Sequence, residues 1–493
     1  MMNNTIYTLF ETIAASHRDE TAIIENARTM TFGELSDLVD MIAGSFPAEV
    51  HSVGIVMNHR AEMIASMLAA LKRGARYVPA EPSFPIGRIR FMMEEAEVDF
   101  ILTEKEHENK LDGLPTRLLD CEICNMEQPA PSSGDSQAPE RPAYVLYTSG
   151  TTGRPKGVCV TNGNVCHYVR AFGTEFHPGP GDIMLQYSVC SFDIFVEEVF
   201  CSLLNGAALA IPSAEDKKDV QSLMAFVEKH HVTMLSGFPY LLAEMNHLPE
   251  IPSSLRLLIS GGDVLRGVYV DRLLDKAEVY NTYGPSETTV CASYYRCNGG
   301  AVLDDGTYPI GHPVKGAEIR ILSQDGQELP SGETGEICIY GGGVSLGYIG
   351  DRVEENRAFE VLPEGGTMYR SGDLGYILPE GNIAFLHRKD TQIMILGRRV
   401  EVSEVESRLY QCRDVQQAVV RAFTDEDGLS YMTAYVVPAS QEMKVSAVKR
   451  ELAENMTAFM IPEFIVKMPQ IPLNSNGKPD VSKLPVVMKA GNF

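Results

Sequence analysis

The stretch YTSGTTGRPKG, Tyr147 to Gly157, follows the short apolar run AYVL and concentrates groups that suit an anion. Ser149, Thr151 and Thr152 offer hydroxyl donors. Gly150, Gly153 and Gly157 let backbone N–H groups approach a ligand with no Cβ in the way. Arg154 and Lys156 supply positive charge. Together they suit a clamp on a polyphosphate leaving group. A P-loop would read G-x-x-x-x-G-K-[ST], and here Lys156 instead follows a proline and precedes a glycine. A polar turn between a strand and the next element needs the same small residues but not two cations, and the cations tip the reading toward phosphate.

The elements that must carry such a loop read as α/β. The 493 residues allow two or three domains and a large core, and 44% hydrophobic content is that of an ordinary globular chain. AEMIASMLAALKRG sets Met63, Ile64, Met67, Leu68 and Leu71 on one helical face, with Gly74 as a stop. DFILTE, GAALAI, VTMLSGF and LRLLISGG read as short buried strands separated by amphipathic stretches, the pattern of a largely parallel, helix-covered sheet. Glu127 to Pro142 has loop composition. Near residue 385 the character changes. TQIMI alternates like a half-buried strand, Ser403-x-x-Glu406 spells a capping box, and MTAYVV with VSAVKRELAENM suggests a small α+β unit.

Composition also excludes. A formal net charge of −24 disfavours nucleic acid and anionic membrane surfaces. The N-terminus lacks a signal-peptide pattern, and no apolar run reaches the length of a membrane helix. Ten scattered cysteines, among them Cys159, Cys190, Cys201 and Cys338 inside apolar runs, read as buried free thiols of a reducing, cytoplasmic compartment. Cys121 and Cys124 form one C-x-x-C with no second pair or histidine partner, and coincidence explains it as well as a metal does.

The loop YTSGTTGRPKG is similar to the signature loop of the adenylate-forming superfamily. Further motifs follow in order. TFGELS and LKRGARYVPAEPSFP, FDIFVEE, NTYGPSETT, GETGEICIYGGGVSLGY, YRSGDLG, HRKDTQIMILGRRVEVSEVE, AFMIPEF and NSNGKPD resemble core motifs of the amino-acid adenylation domains of nonribosomal peptide synthetases. The resemblance spans nearly the whole chain. It implies a large N-terminal region of helix-covered sheets over 1–389, with subdomains of about 1–140 and 141–389, and a small mobile α+β domain over 390–493.

It also implies a reaction. A carboxylate attacks the α-phosphorus of Mg-ATP, giving an acyl-adenylate and pyrophosphate, and the phosphopantetheine thiol of a separate carrier protein then takes the acyl group. Such chemistry asks for positioning and charge stabilisation more than for a protein nucleophile. By resemblance, Thr148, Ser149, Gly150, Thr151, Thr152 and Lys156 would hold phosphates. Asn281, Tyr283, Gly284 and Ser286 would lie at the nucleotide, with Tyr283 on adenine. Glu287 would bind magnesium, Asp373 the ribose hydroxyls, and Arg388 the ribose or phosphate. Lys478 would bridge the substrate carboxylate and the adenylate, and Asp390 would be the hinge. Read alone, Glu287 is a helix-start glutamate, Tyr283 a core residue, and SGD and NSNGKPD are turns. The chain departs from the family pattern at His387, Met394 and Leu396, and at Glu81, where aspartate is usual.

Asp193 in FDIFVEE separates substrate classes. In amino-acid-activating members an aspartate there meets the substrate ammonium, whereas a non-amino acid would leave a buried carboxylate unpaired. The resemblance carries the rest of the pocket onto Ile194, Glu197, Ser236, Ile259, Gly261, Thr282, Val290 and Cys291. One acid, Glu197, remains among small and apolar walls, which invites a cationic side chain: lysine first, then ornithine or arginine. The alternative is that Glu197 points toward a neighbouring helix and the pocket is neutral. A coenzyme A ligase acting on a non-amino acid and a catalytically silent binding module are the competing readings. No carrier segment follows NGKPD, so the chain reads either as a stand-alone enzyme or as an excised domain.

Overall fold

The computed structural model describes residues 4–26, 28–119, 138–149, 155–363, 365–389, 392–395, 397–425, 428–440, 442–472 and 483–487. It divides into two compact units. One comprises Met1–Pro82, Met93–Leu146 and Gly157–Lys389; the other comprises Ser83–Met92, Tyr147–Lys156 and Asp390–Phe493. Among the described residues no helix is long and apolar enough to cross a membrane.

The larger unit is organised by sheets. In one of them the strands Thr21–Glu25, Ala208–Ile211, Ile183–Leu185, Met234–Gly237, Leu257–Ser260 and Glu278–Tyr283 lie side by side and parallel. Arg28–Thr31 at one edge and Ser293–Arg296 with His312–Pro313 at the other add antiparallel strands. ALAI, MLSG and LLIS are buried at every position, as parallel strands covered on both faces must be. Thr21–Glu25 pairs here with Ala208–Ile211, so this sheet joins residues from both sides of position 140. A second sheet is centred on Ser52–Val56, with Arg76–Pro79 and Phe100–Thr103 parallel on either side. The helix Ala61–Lys72 is buried from Met63 to Lys72 rather than along one face. It packs against both this sheet and the helices Ile6–Ser16 and Phe32–Ser45. A third, antiparallel sheet pairs Thr367–Ile377 with Ile383–Arg388 and sets Asp373 opposite Arg388.

The smaller unit is α+β. The hairpin Gln392–Ile395/Arg398–Glu401 precedes the helix Val402–Gln411, and Val415–Thr424, Ser430–Pro438 and Phe464–Lys467 form a sheet beside the helix Val445–Ala453. The expected capping box fails. Glu401, not Ser403, is the N-cap, and the Glu406 carboxylate accepts from Val420 N–H at 2.8 Å. The strand that follows supplies a better-placed donor than the helix's own first turn.

Candidate active site

The C-terminal ends of the parallel strands gather the expected pocket. Ser236 and Ile259 are register partners next to the ends of their strands, and Thr282 stands in the same position of Glu278–Tyr283. Ligands of open α/β sheets bind beyond such ends. Gly261 follows directly, and a Cβ there would meet the Thr282 hydroxyl at 2.8 Å, so only glycine keeps this approach. The Thr282 hydroxyl donates to Ser260 O at 3.1 Å. Gly284 turns the chain so tightly that a Cβ would lie 2.3 Å from Val290 O. The return path holds Thr289 and Val290 at φ +61° and +70°. A β-branched residue in that region is strained, and such strain is characteristic of functional sites.

The helical run Asp193–Cys201 supplies the acids. Glu197 N–H donates to Asp193 O, so the two side chains leave the helix one turn apart. Asp193 Oδ2 and Glu197 Oε1 are both sealed from solvent and have no hydrogen-bond partner. Burial pushes the Asp193 carboxyl up to about 6, against the lowering effect of Ser286, and the nearby Glu287 adds to the rise. Burial pushes Glu197 up to about 7, against the Ser236 and Tyr168 hydroxyls. Ile194, Ile259 and Val290 are buried, and Cys291 lies near Thr282 and Tyr168 with its thiol raised by burial.

Tyr168, on the helix Asn162–Phe176, donates its hydroxyl to Glu197 Oε2. One oxygen of Glu197 thus does face a neighbouring helix, while the other is left without a donor. Nothing in the sequence singled Tyr168 out. A tyrosine on the apolar face of an amphipathic helix reads as core, and its partner lies 29 positions on.

The residues expected at the nucleotide form a second group within the larger unit. Asp373 accepts from Tyr283 Oη–H at 2.6 Å through Oδ2 and from Arg388 at 2.6 Å through Oδ1. Burial and the adjoining Asp373 hold the Tyr283 phenol well above its usual range. Arg388 also donates to Ser371 O at 3.1 Å. Asn281 spends its amide N–H groups on Pro309 O at 2.8 Å and Tyr308 O at 3.4 Å. Glu287 is fully buried. Its Oε1 accepts from the Tyr348 hydroxyl, and its main-chain oxygen accepts from Ser345 N–H at 2.9 Å.

The smaller unit holds the flanks of the signature loop. Ser149 Oγ donates to Arg399 O at 3.0 Å, Thr148 Oγ1 is buried without a partner, and Lys156 Nζ stands 4.0 Å from Glu401 Oε1. Gly150, Thr151, Thr152, Leu396, Asp390 and Lys478 lie outside the described residues, as do Cys121 and Cys124. The four cysteines expected to be buried free thiols are so.

The family model described as AMP-binding enzyme matches residues 10–349, and that of the AMP-binding enzyme C-terminal domain matches 404–478. The chain belongs to the AMP-binding enzyme family. Its mixed α/β architecture is the adenylate-forming enzyme fold. The chain is 35% identical over 492 residues to bacitracin synthase 2 of Bacillus licheniformis, covering 98% of this chain and 19% of the synthase's length. An artificially fused adenylation–PCP di-domain from Klebsiella oxytoca shares its fold with a TM-score of 0.85 at 24% identity, over 94% of each chain. The o-succinylbenzoate CoA synthetase of Bacillus subtilis does so at 0.84 and 23% identity, over 97% of this chain and 98% of that one.

Proposed function

We propose that this AMP-binding enzyme activates a cationic amino acid, L-lysine before ornithine or arginine, as its aminoacyl-adenylate, and passes it to the phosphopantetheine thiol of a carrier protein. The observation that carries the reading is the pair of sealed carboxylate oxygens, Asp193 Oδ2 and Glu197 Oε1, one helical turn apart and without donors. A buried carboxylate oxygen left without a donor costs about 1–3 kcal/mol. An α-ammonium on Asp193 and a side-chain ammonium on Glu197 would offset that cost. A coenzyme A ligase shares the fold, but a substrate without an amino group leaves Asp193 unanswered.

In this reading the substrate carboxylate attacks the α-phosphorus, the bond to the β-phosphate oxygen breaks, and pyrophosphate leaves. Tyr283, Asn281, Gly284 and Ser286 bind and orient the nucleoside, and Asp373, fixed by Arg388, receives the ribose. Lys156 and the hydroxyls of Thr148 to Thr152 steady the phosphates, while Lys478 neutralises the meeting anions. Asp390 absorbs the rotation that precedes thiol transfer. Glu287 fits a magnesium ion: it is a hard oxygen donor, and Mg2+ usually takes one or two carboxylates with substrate phosphates completing its sphere. That ion would neutralise phosphate charge. Buried free thiols suit a reducing cytoplasm.

Amino-acid-dependent ATP–pyrophosphate exchange, with Lys478→Ala as control, tests the reading. Exchange strongest with a cationic amino acid and lost in the control supports it. Exchange with a neutral amino acid alone overturns the Glu197 assignment, and no exchange with any amino acid overturns the activity.

A further inference from the structure

We propose that His59, Glu81 and Cys190 form a binding site for Zn2+, separate from the adenylation chemistry. The three residues come from different places in the larger unit. His59 precedes the helix Ala61–Lys72, Glu81 follows the strand Arg76–Pro79, and Cys190 stands in the loop before Asp193. Their imidazole nitrogen, carboxylate oxygen and thiol sulfur all lie within 4.8 Å of one another. One nitrogen, one oxygen and one sulfur make a set that suits zinc, which needs ligand distances of about 2.0–2.3 Å. The sulfur disfavours magnesium and calcium.

The surroundings are arranged as they are around metal-bound histidines. Gln186 Nε2 donates to Ser188 O at 2.5 Å and to Glu198 Oε2 at 3.0 Å, which fixes which way the amide points. Its Oε1 therefore faces His59 Nδ1 at 2.8 Å as an acceptor, and Lys217 Nζ shares that oxygen at 3.4 Å. His59 must donate from Nδ1. Its Nε2 meets a second acceptor, Glu81 Oε1, at 2.8 Å. Without a metal the ring needs two protons to satisfy both oxygens. With Zn2+ on Nε2 the ring is neutral, and the Nδ1–H to Gln186 bond is the orienting contact that metal-bound histidines make.

Glu81 also accepts from Cys190 N–H at 2.7 Å, and the Cys190 thiol lies within 4.8 Å of its carboxylate. The charge balances either way. Imidazolium, carboxylate and thiol sum to zero, as do Zn2+, imidazole, carboxylate and thiolate. Binding breaks one N–H and one S–H bond, forms Zn–N, Zn–S and Zn–O bonds, and releases both protons to solvent. Cys190 is fully buried, while His59 and Glu81 keep 14% and 13% side-chain exposure, which leaves an approach for the ion and a fourth ligand.

The test uses the full chain with Cys121→Ser and Cys124→Ser, which removes the other spaced thiol pair, and Co2+ as the probe with Zn2+ as competitor. The expected result is one Co2+ per chain, bound with release of two protons and a thiolate-to-cobalt charge-transfer band, and displaced by Zn2+ with no further proton release. Cys190→Ala should lose that band, and His59→Gln should weaken binding at least about tenfold. X-ray absorption at the zinc edge, which needs no further variant, should show a single sulfur with nitrogen and oxygen neighbours. Absence of a thiolate band at saturating Co2+, a band that survives Cys190→Ala, or a zinc shell without sulfur overturns the proposal.

Discussion

Glu197 and Glu198 are adjacent, equally buried, and both pushed by burial to about 7, yet the fold uses them in opposite ways. Glu198 is answered on every side. It accepts from Gln186 Nε2 at 3.0 Å, Tyr187 N–H at 3.2 Å and Ser188 N–H at 3.0 Å, and so ties the loop after the strand Ile183–Leu185 to its helix. Glu197 takes the Tyr168 hydroxyl on Oε2 and has the Ser236 hydroxyl nearby, yet its Oε1 makes no hydrogen bond. Burial and a raised pKa therefore do not distinguish a structural acid from a substrate-binding one. On the proposed function the unanswered oxygen does.

The comparison is broken most forcefully by truncating each acid. Glu198→Ala leaves two main-chain N–H groups unpaired, takes one of two acceptors from the Gln186 amide, and should cost about 3–5 kcal/mol in denaturant unfolding. Glu197→Gln should leave unfolding nearly unchanged near pH 5, where the carboxyl is still protonated, but at neutral pH lower kcat/KM for lysine about 100-fold with KM for ATP unaltered, read by pyrophosphate exchange. Equal stability losses in the two variants would erase the distinction.

Titration sharpens it. An acid whose folded pKa is raised costs the fold nothing below its unfolded value, and the cost builds as pH rises toward the folded value. Ligand-free protein should therefore lose stability between about pH 5 and 7, less steeply in Glu197→Gln. Substrate affinity runs the other way. Below 7 Glu197 is neutral and attracts no cation, so KM for lysine should fall steeply as pH rises to about 6, where Asp193 titrates too, then about tenfold per pH unit up to 7, and then level. In Glu197→Gln only a step near 6, that of Asp193, should remain. The smallest effect is expected of Tyr168→Phe. Losing one hydrogen bond to a charged group should raise KM for lysine roughly tenfold and move the midpoint upward. An unshifted midpoint would make Tyr168 a packing residue only.

What could be read in advance was what the motifs spell. Asp193, Tyr283, Glu287 and Asp373 sit in short strings whose local folding positions them, and the apolar strands announce a buried parallel sheet. The pairing of Glu197 with Tyr168 was hidden because it joins two helices through a residue that patterning assigns to the core. Glu198 carried no signal, since its donors are main-chain groups of a distant loop. The Ser403–Glu406 capping box matched its pattern and failed, because Val420 N–H competed for the same carboxylate. The one-sided helix expected at Ala61–Lys72 is buried nearly throughout, since periodicity cannot tell how many layers cover a helix.

The most direct measurement is pyrophosphate exchange with lysine and with norleucine, its neutral counterpart of similar length, on the wild type and Glu197→Gln. The account predicts that the wild type prefers lysine and that the variant loses this preference by about 100-fold while gaining on norleucine. Lysine turnover undiminished in Glu197→Gln, or a wild type that prefers norleucine, would contradict it.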